Sequence, residues 1–226
     1  MTGKHAAEAR RQKRLFEVER QKLQRNLPKA VRAAAKGSGW RSSQGTLFQD
    51  MEGWFIEVRA IPYVIEVRTP AHLHVKPMGL DALFWKICGM EENANLPLSF
   101  RAFGAFTCRT PAFREVDISE EGSVDQMAGR LLGWASDQAS ALGGKLSLDD
   151  FVQFVRRHPA QVERQSYLPA LVVGLLLQEK SEEALAILKN TKRDGGFWFH
   201  TADGMKTFAD FATEWIEGAR CSRIEH

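Results

Sequence analysis

Apolar and polar positions change their spacing twice along this chain, and the changes divide it into three stretches. The first, Lys4 to Arg25, carries a thin apolar stripe from Leu15 and Phe16 through Val18 to Leu23 at helical spacing. Asn26 is placed to cap a second, short helix over Leu27 to Lys36, because Pro28 lies in its first turn and Gly37 follows its end. From Trp40 to about Val75 the period becomes two. The strands expected there are Thr46 to Met51, Trp54 to Ala60 and Tyr63 to Thr69, with a further candidate at His72 to Lys76, and turns at Glu52-Gly53, Pro62 and Pro70. Two of these are near-copies, Trp54-Phe55-Ile56-Glu57-Val58-Arg59 and Tyr63-Val64-Ile65-Glu66-Val67-Arg68, joined by Ile61-Pro62. A turn at Pro62-Tyr63 sets Glu57 opposite Arg68 and Arg59 opposite Glu66, with charges paired across the strands.

A short helix follows at Leu80 to Cys88. Leu98 to Arg109 then alternates like a strand, and Glu115 to Ile118 is a further short strand. Beyond residue 122 the period is helical throughout. Ser123 to Gln126 has the spacing of a capping box, and Val124, Ala128, Leu131, Ala135 and Leu142 recur on one face until Gly143-Gly144. Ser147 opens a helix that ends before Pro159, and Leu168 to Leu177 is apolar nearly all round, the mark of a buried helix. Its partner begins at Ser181 and runs through Ala184 to Lys192, and the last helix is Met205 to Ile216. The class is α+β, a helix-led antiparallel sheet followed by an all-helical C-terminal half. The regions expected are a basic helical arm over 1–36, a sheet region over 37–121 and a helical region over 122–226.

Charge alters this picture more than bulk composition does. The net charge is +3, yet residues 1–36 hold eleven Lys or Arg against three Glu, leaving twenty basic and twenty-five acidic residues in the other 190. The arm is therefore +8 and the remainder −5. Such an arm is suited to nucleic acid, to an acidic protein, or to its own acidic remainder. Three scattered cysteines, Cys88, Cys108 and Cys221, do not make a disulfide framework and suggest a reducing compartment. The N-terminus is charged where a signal peptide is apolar, and the longest apolar run, Leu171 to Leu177, is too short to span a bilayer; a cytoplasmic protein is expected.

The chemistry-bearing motifs are sparse. His72-Leu73-His74 puts two imidazoles on one face of an extended segment, half of a metal site, but no HxxxH, CxxC or HExxH supplies the rest. There is no GxSxG elbow, and Gly143-Gly144-Lys145 lacks the spacing of a phosphate loop. His200, between Phe197-Trp198-Phe199 and Asp203, is the one histidine in a setting that suggests an aromatic pocket, although a packed loop between helices is the favoured reading of it. The tandem carboxylates Glu91-Glu92, Glu120-Glu121, Asp149-Asp150 and Glu182-Glu183 read as solvated turns or helix first turns. No catalytic residue, cofactor or metal ligand is assigned on this basis.

The stretch Leu27 to Ile87 contains a short leading helix, the Gly39-Trp40 entry, the Leu47-Phe48 strand, the Trp54 to Val67 hairpin and the Leu83-Phe84-Trp85 helix. In that order it resembles a family of small bacterial α+β domains of unknown function associated with toxin-immunity systems. The resemblance implies a small α+β domain found around such systems and carries over no functional residue; an immunity or adaptor protein is expected from the lack of any catalytic signature, the oppositely charged arm and remainder and the aromatic-rich sheet region.

Two functions are therefore expected ahead of others. The first is a non-catalytic protein that docks or occludes a macromolecular partner through Trp40, Trp54, Trp85, Arg59 and Arg68, residue types that interfaces favour and that the pattern suggests are partly exposed. The second is a nucleic-acid binder using Arg10, Arg11, Lys13, Arg14, Arg20, Lys22 and Arg25; a solvated helix whose stems cover the sheet is its simpler counterpart. An enzyme with a site near His200 is the third.

Overall fold

The structure is a computed structural model that describes residues 2–63, 68–103, 106–119, 122–191, 198–201 and 204–224. Its sheet runs in sequence order, β1 (Arg41–Ser43), β2 (Thr46–Met51), β3 (Trp54–Ala60), β4 (Pro70–Pro77) and β5 (Arg114–Asp117). The two tight turns at its start have one cause. Gln44-Gly45 and Glu52-Gly53 have φ of +48° and +81°, then +51° and +86°, the pair of left-handed residues that a two-residue hairpin turn needs to match strand twist. Glu52-Gly53 is a turn as the sequence predicts, and Gln44-Gly45 adds β1 by the same device. A Cβ on Gly45 would meet Pro28 Cγ at 3.2 Å, so that position also needs its small size.

The next hairpin differs from the expected one. Ile61 N–H donates to Pro70 O at 2.9 Å and Tyr63 N–H to Arg68 O at 3.3 Å, so the strands stay paired past Pro62 and Tyr63 lies opposite Arg68. The expected pairing of Glu57 with Arg68 is therefore replaced, because Pro62 sits within an extended edge and does not make the turn. Most of the second near-copy, residues 64–67, lies outside the described residues, and so does the expected partner Glu66. β5 pairs antiparallel with β4, Pro70 opposite Asp117 and His72 opposite Glu115, which places the expected strand at 115–118 as the sheet's last member. Leu98 to Arg109 is not a strand. It holds a single helical turn, α3 (Phe100–Phe103), and residues 106–109 follow as backbone outside any strand, where Asp81 accepts from Cys108 N–H at 2.8 Å; positions 104 and 105 are outside the described residues.

The helices are α1 (Thr2–Ala35), α2 (Met78–Ile87), α4 (Val124–Leu142), α5 (Leu148–Arg156), α6 (Pro159–Glu163), α7 (Leu168–Leu177), α8 (Ser181–Asn190) and α9 (Phe208–Ile224). The two expected N-terminal helices are one, since α1 continues through Pro28. A mid-helix proline forfeits one backbone bond at a cost of about 3 kcal/mol. Burial of Leu27, Ala30, Val31 and Ala35 on the same helix offsets that cost. The capping box at α4 forms as read, Ser123 N–H to Gln126 Oε1 at 2.7 Å and Gln126 N–H to Ser123 Oγ at 3.2 Å. A second small sheet, β6 (Trp198–Thr201) with β7 (Gly204–Thr207), occupies a segment whose period suggested only loop and helix. The architecture is α+β, an antiparallel sheet followed by helices, and no described helix is long and apolar enough to cross a membrane.

The chain forms two compact units, each assembled from three segments: residues 1–49, 56–74 and 112–142, and residues 50–55, 75–111 and 143–226. This partition interleaves along the chain, whereas the sequence order suggested consecutive regions. In the first unit α1 packs along α4, burying Leu27 and Val31 of α1 together with Ala128, Leu131 and Ala135 of α4. In the second, α7 is buried from Leu168 to Leu175 and packs against α2, α5 and α8.

Candidate functional site

The geometry of α1 follows from helical rotation. Positions 11, 14, 18, 22, 25, 29 and 32 follow one another at steps of three or four, which at about 3.6 residues per turn keeps them on one face. Arg11, Arg14, Lys22, Arg25, Lys29 and Arg32 occupy that face, together with Leu15 and Val18, and all eight are exposed. Lys36, exposed just beyond the helix, continues the line. Leu15 and Val18 are 57% and 39% exposed, two aliphatic side chains set among the cations. The carboxylates of α1 lie beside the face. Glu17 is half-buried, and Glu19 reaches across to Lys22 Nζ at 2.8 Å.

The opposite face anchors the helix within the same unit. Arg20 is 7% exposed, its Nε donating to Tyr63 O at 2.7 Å and its Nη2 to Thr69 Oγ1 at 3.1 Å and to Arg68 O. Burial draws its pKa below the ordinary arginine value, partly countered by the Asp117 carboxylate. Gln24 Nε2 donates to Pro62 O at 2.9 Å. Arg20 thus belongs to the hairpin and not to the exposed basic set. Arg10 is exposed on the flank and Lys13 is exposed on the Arg20 side of the helix, two turns before Arg20, so Arg11, Arg14, Lys22 and Arg25 are the members of the predicted set that align.

The five residues expected to meet a protein partner do not form one exposed surface. Trp40 is 6% exposed, its indole N–H donating to Ser136 Oγ at 3.2 Å, and Trp85 is 1% exposed, with the Arg101 guanidinium 5.0 Å from its ring centre. The expectation that both are partly exposed is corrected, because each fills a core position. Trp54 is half-buried against Phe151, ring centres 6.2 Å apart, beside an open groove of about 240 Å³ lined by Met51, Glu52, Gly144 and Leu146. Arg59 is half-buried and donates to Thr46 Oγ1 at 3.3 Å. Arg68 is exposed and pairs with Asp117 at 3.3 Å and Glu115 at 3.7 Å.

A buried ionic cluster lies in the second unit. Asp81, in the first turn of α2 where the helix dipole favours an anion, is 0% exposed. Its Oδ1 accepts from Cys108 N–H at 2.8 Å, while Oδ2 accepts from Lys76 Nζ at 2.8 Å and Arg101 Nη1 at 3.3 Å. Lys76 Nζ donates also to Arg101 O at 2.9 Å and Cys108 O at 3.2 Å, which uses all three ammonium protons. Burial pushes the Cys88 thiol up to about 12 and the Cys108 thiol well above its ordinary value, so both are held as thiols. The cluster ties Arg101 and Cys108 to Lys76 of β4 and Asp81 of α2, with the Lys76 ammonium and both Asp81 oxygens satisfied by their neighbours. The alternation of Leu98 to Arg109 concealed it, since Arg101 lies beside apolar neighbours and only the fold brings Lys76 and Asp81 to it.

The remaining candidates are placed as follows. His72 Nδ1 is 3.6 Å from Glu115 and its ring centre 6.3 Å from that of His74, and among the described residues no three His, Cys, Asp or Glu side chains gather as metal ligands. His200 is exposed, opposite Met205 on β7, and the aromatic contacts expected around it are made by Phe199, against Phe106 and Phe211. Phe197 and Asp203 lie outside the described residues. Neither a protein-family model, nor a curated protein, nor a solved structure matches this chain.

Proposed function

We propose that this protein works by docking a macromolecular partner, without catalysing a reaction, and that the outer face of α1 is its working surface. One observation carries the reading: six exposed cations at helical spacing, Arg11 to Arg32, on a helix whose other face is pinned by Arg20 and Gln24. Held in place before binding, such a face loses little conformational freedom when a partner arrives. The complementary partner is acidic. An immunity or adaptor protein is the form this takes when the partner is an acidic protein, with Arg59 and Arg68 of the same unit as accessory contacts.

The test uses the full chain against three immobilised polyanions: poly-L-glutamate, heparin and duplex DNA. Binding to at least one is expected, weakened at least about tenfold in Arg11→Glu/Lys22→Glu/Lys29→Glu, since each reversal removes an attraction and adds a repulsion. Binding to none of the three, or binding that the triple variant leaves unchanged, rejects the reading.

A further inference from the structure

Resting on the docking reading, we infer that the partner of α1 is the phosphate backbone of a nucleic-acid duplex. Six cations line the face, and one of them, Lys22, is paired with the Glu19 carboxylate at 2.8 Å. From Arg11 to Arg32 the face spans about 32 Å at about 1.5 Å per residue, close to the roughly 34 Å of one duplex turn. A helix of that length lying along a groove keeps cations within reach of phosphates on both walls, because the outward arc is wide enough to send Arg14 and Arg25 to one side and Lys22 to the other.

Three observations favour phosphate over the other anionic surfaces. Protein interfaces deplete Lys and mix the two signs of charge, whereas this face carries Lys22, Lys29 and Lys36 and sets its carboxylates to the flank or inward. An anionic lipid surface is met by a broad apolar stripe on the bound face, and here Leu15 and Val18 are the aliphatic groups among a row of cations. Those two lie together beside Arg14, small enough to rest on sugar or thymine methyl groups while the flanking cations hold the backbone. The charge is also committed to this face, since the residues outside 1–36 sum to −5 and repel a polyanion from elsewhere on the chain.

Fluorescence anisotropy of the full chain with a labelled DNA duplex of about two turns, roughly 20 base pairs, tests the inference. Affinity falls by about three orders of magnitude between about 50 and 200 mM salt if some six phosphates are neutralised. Lys22→Gln/Arg25→Gln/Lys29→Gln, all at exposed positions, lowers the slope of log affinity against log salt by about 3, with an unchanged circular dichroism spectrum. Lys145→Gln/Lys189→Gln, exposed in the other unit, leaves that slope as it was. A salt-independent affinity, or equal loss in both variants, overturns the inference. Binding to poly-L-glutamate or to phosphatidylserine vesicles in preference to the duplex also overturns it while leaving the docking reading in place, and binding to none of these probes removes both.

Discussion

Asp81 is the residue on which most of the buried charge of the second unit depends. Replacing it with alanine leaves Lys76 and Arg101 as cations without their shared anion, Lys76 at 5% exposure. Breaking a buried pair on one side typically costs about 3–5 kcal/mol, so Asp81→Ala should lower the urea midpoint sharply; a loss below about 1 kcal/mol would show the cluster to be wet. Asp117 reports differently. The Ser119 hydroxyl above all, with the backbone N–H groups of Ser119 and Thr69 and the Arg68 guanidinium, holds its carboxyl at about 2, below its ordinary 3.8. A carboxyl with a lowered folded pKa contributes stability that is complete above about pH 4 and disappears as the pH falls toward 2. Asp117→Asn should therefore narrow the difference in melting temperature between pH 7 and pH 3, and an unaltered acid limb would contradict this. Neither residue was legible beforehand. Asp81 looks like an ordinary acidic residue in a helix first turn, and Asp117 an ordinary strand-end carboxylate, until Lys76, Arg101 and Thr69 are brought to them from elsewhere in the chain.

At the scale of elements, α7 is where sequence and structure agree most closely. A helix apolar on every side has to be buried, and Leu168–Leu177 is both the predicted range and the observed one. Its one concession is Gly174, where a Cβ would lie 2.9 Å from Val152 Cγ2 of α5. Alanine gains up to about 1 kcal/mol of helix propensity there, but the overlap in a closed core costs about 1–3 kcal/mol. Gly174→Ala should thus be neutral to destabilising by up to about 2 kcal/mol on chemical unfolding, and a stabilised variant would mean that α5 and α7 have room to part. α1 shows the converse. Asn26 and Pro28 carry every local sign of a helix boundary, and packing of Leu27 and Val31 carried the helix across it. The hairpin erred for a related reason. Alternation identified β2 and β3 to the residue but cannot tell which partner a strand takes, and a slip in turn position moves every pair.

For the molecule as a whole, the telling property is how its charge is distributed. An arm of +8 and a remainder of −5 were legible at once, because they need only counting. That six of the arm's cations fall on one exposed face, and that Arg20 is withdrawn to hold the hairpin, depended on one unbroken helix resting on α4 and the β3–β4 tip. Local chemistry along the chain determined the α+β class, β2, β3 and α7, the capping box and the basic arm, since periodicity, caps and charge are properties of neighbours in sequence. Tertiary packing alone decided the continuity of α1, the hairpin register, the interleaved units, the burial of Trp40 and Trp85 and the Asp81 cluster. Each of those arises from groups far apart in the chain, whose meeting is governed by the area they bury and the polar atoms they satisfy together, and no local pattern records that sum.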